Sequence, residues 1–139
     1  MAQVVKYKPG TTATLKVDSA ETIAEGQLVG VDAQGEAVLA DADAGTAIKA
    51  LGVAVRAASG AAGDSVTVAM QAVVAGFSSL TPGATQYLSG TAGGITETRP
   101  ETIDDVIQPV GLAVSATKVV FNVAAPFAVR QDAANSTLA

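Results

Sequence analysis

The sequence contains neither cysteine nor histidine among its 139 residues. The absence of cysteine rules out thiol nucleophiles and disulfides, so the fold is indifferent to redox conditions. The absence of histidine removes the imidazole base, and with cysteine it removes the usual zinc and haem ligands. The commonest catalytic and metal-binding chemistries are therefore excluded before any motif is considered.

Aromatic residues are also scarce, at 4% of the chain, although hydrophobic residues reach 49% and are mainly alanine and valine. Such a core is built from small and β-branched side chains, which suits a small β-sandwich or β-barrel. Because this composition buries few large groups, we expect oligomerisation to add stability.

The net charge is −5, which disfavours binding to nucleic acid or to an anionic membrane surface. No apolar run approaches the roughly 20 residues needed to cross a bilayer, and no basic-plus-apolar signal begins the chain. The sequence therefore predicts a soluble protein, without Sec export and with neither nucleic acid nor membrane as partner.

Residues 80–123 alternate between turn signals and β-branched segments, which predicts an all-β fold. Pro82-Gly83 is typical of a type II turn, because proline presets φ and glycine tolerates a positive φ. A glycine-rich turn at 90–94 separates two short strands, and two more strands end the region.

The two halves of the chain match each other, which predicts an internal duplication of a four-strand unit, about 26–70 and 83–123. Gly26 aligns with Gly83, at an offset of 57 residues, and Gly52 aligns with Gly111, at an offset of 59. Chance agreement between glycine- and valine-rich strands is the alternative.

The sequence divides into an extended N-terminal arm at 1–18, a single β domain at 19–125 and a C-terminal tail at 126–139. The arm breaks at Pro9-Gly10. One interpretation is a first strand that pairs with the sheet edge, and the other is an arm that lies along an acidic partner. Phe77, Pro126 and Phe127 are candidate subunit contacts.

No catalytic, cofactor-binding or metal-binding residues are predicted. Asp104 and Asp105 would point to opposite faces of a strand, and the segment Asp41 to Gly45 lacks most of the ligands of a calcium loop. No Ser-x-x-Lys motif supplies a lysine base for a serine nucleophile, and the glycines at 90–94 lack the Lys-Ser/Thr of a phosphate loop. The sequence therefore argues against an enzyme.

The text LTPGATQYLSGTAGGITETRP, followed by IQPVGLAVSATKVVFNV, resembles the closing segment of small capsid decoration (cement) proteins of tailed bacteriophages. The motifs shared are Pro82-Gly83, Tyr87-Leu88, Gly93-Gly94 and the Val-Gly-x-Ala-Val strand at 110–114. The similarity covers roughly residues 20–123. It implies an all-β homotrimer that binds the major capsid protein on the outer capsid surface of the virion, after synthesis in the host cytoplasm.

The capsid contact is predicted in the arm, at Val4, Val5, Lys6, Tyr7 and Lys8, with Tyr7 as an anchor and the lysines facing acidic capsid surface. Two alternatives remain. The same text occurs in some phage fibre and tail-spike proteins, which would give the chain an adhesion role. A carbohydrate-binding module would need an aromatic platform, and the five Tyr and Phe residues are too dispersed for one.

Overall fold

The computed structural model describes residues 2–43, 45, 47–123 and 129–130, the last two by their backbone alone. The prediction of an all-β fold is confirmed. Two short 3-10 turns at Pro9–Thr11 and Gly60–Ala62 interrupt the strands. The strands are β1 (Gln3–Tyr7), β2 (Thr12–Lys16), β3 (Thr22–Ile23), β4 (Leu28–Val31), β5 (Ala37–Leu39), β6 (Gly52–Ala54), β7 (Ala58–Ser59), β8 (Ser65–Ala69), β9 (Gln71–Ala75), β10 (Thr85–Leu88), β11 (Ile95–Thr96), β12 (Val106–Ile107), β13 (Pro109–Ala113), β14 (Lys118–Asn122) and β15 (Val129–Arg130).

Two antiparallel sheets pack face to face as a sandwich. One has six strands in the order β1-β9-β14-β13-β10-β11, and the other has five in the order β2-β8-β6-β4-β5. Two-stranded pairs of β3 with β7 and of β12 with β15 add to them. A parallel bridge between Val17 and Ala37 joins the two edges of the five-stranded sheet, so that this sheet curls into a nearly closed barrel.

The first residues of the chain are extended, and they take part in both sheets. β1 pairs with β9, and β2 pairs with β8. Since β8 and β9 are separated by Met70 alone, the two pairs form one long ladder that passes from one sheet into the other. Residues 3–7 and 12–16 are thus hydrogen-bonded to the domain, as the interpretation of a first strand at the sheet edge proposed.

The strand order repeats between the two sheets. We call β2, β4, β5, β6 and β8 the first unit, and β9, β10, β11, β13 and β14 the second unit. The order β2-β8-β6-β4-β5 corresponds to β9-β14-β13-β10-β11, strand by strand. The register repeats as well, since Val29 lies opposite Gly52 in the first unit and Gln86 lies opposite Gly111 in the second. The repeated order includes one strand more than the predicted four-strand unit, since β2 and β9 precede the ranges 26–70 and 83–123; an internal duplication would produce such a repeat.

Two clusters of small apolar side chains form the core. One lies between the sheets and combines Leu28 and Val53 of the first unit with Val74, Val119 and Phe121 of the second. The other lies inside the curled five-stranded sheet, around Ile23 and Val29. The first unit is therefore covered on both faces, because β-branched side chains fill its interior and the second unit packs on its outside.

A buried glutamine connects the two units. Gln108 is 1% exposed. Its Oε1 accepts a hydrogen bond from the Ala50 N–H at 2.8 Å, and its Nε2 donates to the Ala50 carbonyl at 2.9 Å. The side-chain amide thus takes the place of a backbone partner, and it satisfies two polar groups that would otherwise be buried unpaired.

Candidate interaction surface

The predicted contact segment lies at the edge of the six-stranded sheet. Val4 is partly buried against the core, and its N–H donates to Glu25 Oε2 at 2.7 Å. Val5 is the extra residue of a β-bulge and is 56% exposed. Val4 therefore helps to hold β1 in place, whereas Val5 is presented to solvent.

Lys6, Tyr7 and Lys8 come together in one groove with the neighbouring strands. The groove has a volume of about 380 Å³. The Lys8 N–H donates to the Gln71 carbonyl at 3.1 Å, which keeps the end of β1 against β9. The other strands contribute Gln71, Ala72, Val73, Val120, Phe121 and Asn122 to the lining.

The groove continues into a row of side chains across five strands. The register places Lys6 opposite Val73, Val73 opposite Val120, Val120 opposite Leu112, and Leu112 opposite Thr85. Residues directly opposite each other lie on the same face of a sheet. Val120 is 39% exposed and Leu112 is 44% exposed. The centre of this row is therefore apolar and exposed to solvent.

The adjacent row adds Lys118, which lies opposite Ala75, and the exposed Val114, whose N–H donates to the Lys118 carbonyl. We define the outer face by these two rows, with Val73, Leu112, Val114 and Val120 as its apolar part and Lys6 and Lys118 as its charges. None of the described residues in the two rows carries a carboxylate. On a chain of net charge −5, this face is therefore locally positive.

Sequence reasoning did not identify Leu112, Lys118 and Val120 as part of this surface. The available signal was the alternation of KVVFN in β14, where Val119 and Phe121 are buried while Lys118, Val120 and Asn122 are exposed. A strand with one face in the core must turn Val120 the other way.

The predicted subunit contacts are only partly visible. Phe77 is half-buried, and its ring lies 6.3 Å from the ring of Phe121 between centroids. It therefore packs against the core of its own chain with one side. Pro126 and Phe127 lie outside the described residues.

Three carboxylates, Asp18, Asp32 and Glu36, lie within 4.8 Å of one another in the first unit. Asp32 Oδ1 accepts the N–H groups of Gln34 and Glu36, each at 2.9 Å. The Glu36 N–H, followed by those of Gln34 and Gly35, lowers the pKa of Asp32. Asp32 thus organises the turn between β4 and β5, which accounts for its position without a bound ion.

Asp41 has a similar local role. Its Oδ1 accepts the N–H of Asp43 at 2.9 Å, and its backbone is bridged to Ile48. An aspartate that accepts the N–H two residues on is typical of a turn.

Comparison with known proteins finds no matching family model and no matching curated protein. Within the described part of the chain, no helix has the length and hydrophobicity to cross a membrane.

Proposed function

We propose that this protein is a virion structural protein, a decoration or cement protein that binds the outside of an assembled bacteriophage capsid and stabilises it. The observation that carries the proposal is the groove in which Lys6, Tyr7 and Lys8 meet β9 and β14. Its lining includes two lysines and Tyr7, an aromatic residue that is 38% exposed, and this combination at a sheet edge suits an acidic protein surface.

The mechanism proposed is mass action. A ligand that binds only the assembled lattice stabilises it by RT ln(1 + [L]/Kd), which amounts to about 3 kcal/mol per site at a free concentration about 100 times Kd. We propose that the protein acts as a homo-oligomer, a trimer, with Phe77 among the subunit contacts. Several linked sites would then strengthen binding through their effective concentration.

This function needs no catalytic residue, metal or cofactor, and we propose none. The lack of histidine and cysteine supports a structural role over an enzymatic one. The proposed partners are the major capsid protein and further copies of the chain, on the outer capsid surface, after synthesis in the host cytoplasm.

The test is co-sedimentation of the purified protein with undecorated, expanded heads. Saturation at a whole-number ratio to capsid subunits is the expected result. Absence of binding to heads of the right phage would contradict the proposal and would favour the alternative of a fibre or tail-spike module.

Substitutions test the groove better than deletion of residues 1–9, because the pairing of β1 with β9 would be lost in such a deletion. We expect Tyr7→Ser combined with Lys8→Glu to weaken head binding by about tenfold or more, since an anchor and a cation are both removed. Lys49→Glu is the matched control, because Lys49 is exposed and lies outside the groove. Equal effects of the two variants would show that net charge matters and the groove does not.

A further inference from the structure

We infer that the whole outer face, and not the β1 segment alone, is the docking surface, and that it fits a protein surface with an apolar centre surrounded by carboxylates. This inference rests on the proposed function, in which that partner surface belongs to the assembled capsid. It extends the contact from β1 to Leu112 on β13, three strands farther into the sheet.

The first argument comes from the repeated register. In the first unit, Thr12 lies opposite Ala69, Ala69 opposite Val53, and Val53 opposite Leu28. In the second unit, the residues at the same places are Val73, Val120, Leu112 and Thr85.

The two equivalent rows have different surroundings. Ala69, Val53 and Leu28 are 0% exposed, because the second unit packs on them. The row of Val73, Val120 and Leu112 keeps the apolar character of a covered face, yet nothing within the described residues covers it. The equivalent row of the first unit is thus covered by another protein surface, that of the second unit. This supports a protein surface as the partner that covers Val73, Val120 and Leu112.

The second argument is the charge of the outer face. Lys6 lies at one end of the apolar row, Lys118 lies beside its centre, and Lys8 lies in the adjoining groove. Two copies packed with their outer faces together would place these like charges in one interface, without a carboxylate from either face to offset them. An acidic partner surface instead gains attraction from every one of them.

The proposed recognition has two parts with separate roles. Leu112 and Val120 exclude water at the centre, where apolar burial contributes most of the affinity. The lysines contribute attraction before contact, which raises the association rate and makes binding dependent on salt.

The test compares Leu112→Glu and Lys118→Glu with Val31→Glu in the head co-sedimentation assay. Val31 is the matched control, because it is 40% exposed on a strand of the first unit, away from the outer face. We expect Leu112→Glu to raise the apparent Kd by about tenfold or more. Lys118→Glu should weaken binding less and reduce its dependence on NaCl, while Val31→Glu should bind like the unmodified protein.

The outcomes distinguish failure of the proposed function from failure of the inference about the outer face. If the unmodified protein does not bind heads, the proposed function fails and the inference fails with it. If the unmodified protein binds, and Leu112→Glu and Lys118→Glu bind equally well, the outer face is not the docking surface. Lys118→Glu changes an exposed side chain, so it remains informative even if Leu112→Glu does not fold.

Sedimentation of the protein alone tests the other occupant. If Leu112→Glu turns an oligomer into monomers without changing head binding, a second copy covers the outer face and the inference is overturned. If the oligomeric state of Leu112→Glu equals that of the unmodified protein while head binding is lost, the inference is supported.

Discussion

The two units of this molecule have the same strand order and the same register, yet equivalent faces have opposite surroundings. Val53 in the first unit is completely buried, whereas Leu112, at the same place in the second unit, is 44% exposed. The hydrogen-bonded ladder is therefore set within each unit, by its strands and turns. The burial of a residue depends instead on what packs against its unit. The four predictions that follow test whether hydrogen bonding and burial are determined separately in this way.

The largest difference in the free energy of unfolding is expected between the variants Val53→Glu and Leu112→Glu. A carboxylate at position 53 would be buried between the sheets without a partner, and we expect it to lower the free energy of unfolding by about 4 kcal/mol or more, or to prevent folding. At position 112 the carboxylate stays hydrated, and the loss should be below about 1 kcal/mol. Denaturant unfolding of both variants measures this, and equal losses would contradict the opposite surroundings of the two positions.

Gln108→Ala should cause the next largest loss of stability, because the Gln108 side chain connects the second unit to the backbone of Ala50, close to the first unit. The change leaves the buried N–H and carbonyl of Ala50 without their partner and opens a cavity, so we expect a loss of about 2–4 kcal/mol. Asn122→Ala, which changes an exposed side chain, is the control. A loss no greater than that of the control would show that the amide is not what joins the units.

The two aligned glycines should be equally intolerant of a side chain. A Cβ at Gly52 would lie 2.5 Å from the Ala69 carbonyl oxygen, and a Cβ at Gly111 would lie 2.6 Å from the Val120 carbonyl oxygen. These oxygens belong to backbone at equivalent places, which cannot move without distorting the ladder. We expect Gly52→Ala and Gly111→Ala each to cost about 1–3 kcal/mol in unfolding experiments.

Gly10→Ala is the control for these variants, since nothing lies within 4 Å of a Cβ there. If one aligned glycine tolerates alanine and the other does not, the equivalence of the two ladders is broken at that point.

The smallest predicted effect is the pH dependence of the contribution that Asp32 makes to stability. Asp32 organises the turn between β4 and β5, whereas Ser89, at an offset of 57 residues, holds the corresponding turn of the second unit by accepting the Thr91 N–H at 2.9 Å. The Asp32 carboxyl has a lowered pKa, so its contribution to stability is complete above its ordinary pKa of 3.8 and is lost as the pH falls below that value.

We therefore expect Asp32→Ser to destabilise the protein slightly at pH 7 and to have less effect near pH 2, because the stabilising contribution of the carboxylate declines as the pH falls below 3.8. Ser89→Ala should give a loss independent of pH over this range, because a hydroxyl does not titrate there. Unfolding experiments at both pH values measure this. An Asp32→Ser effect that is constant with pH would contradict the role given to its charge.

Much of this fold could be predicted from the sequence because its turns are marked by proline and glycine and its strands by β-branched residues. The alignment of Gly52 with Gly111 could also be predicted from the sequence. Both positions require glycine for the same reason, since a Cβ at either one would collide with a carbonyl oxygen of the neighbouring strand. The alignment of Val66 to Val68 with 119–121 was two residues off, because Val68 pairs with Ala54 as Val119 pairs with Ala113. A shift of two residues leaves every side chain on the same face, so alternation cannot detect it.

The candidate surface was predictable only in part. Lys6, Tyr7 and Lys8 were identified from their charge and aromatic character at the start of the chain. Leu112 and Val120 were not identified, because a valine-rich strand reads as core on both faces when its neighbours are unknown. Lys118 and Asn122 mark the exposed face of β14 in part, but whether the apolar Val120 between them is covered depends on packing between sheets.

The ladder that passes from one sheet into the other has a consequence for biosynthesis. β1 leaves the ribosome long before its partner β9, and Leu28 and Val53 stay without cover until the residues of β14 have been made. We therefore expect a nascent chain that contains only the first unit to be poorly folded and prone to associate with others of its kind. Productive folding should be a late, all-or-none event, and chaperones that hold unfinished chains should increase its yield.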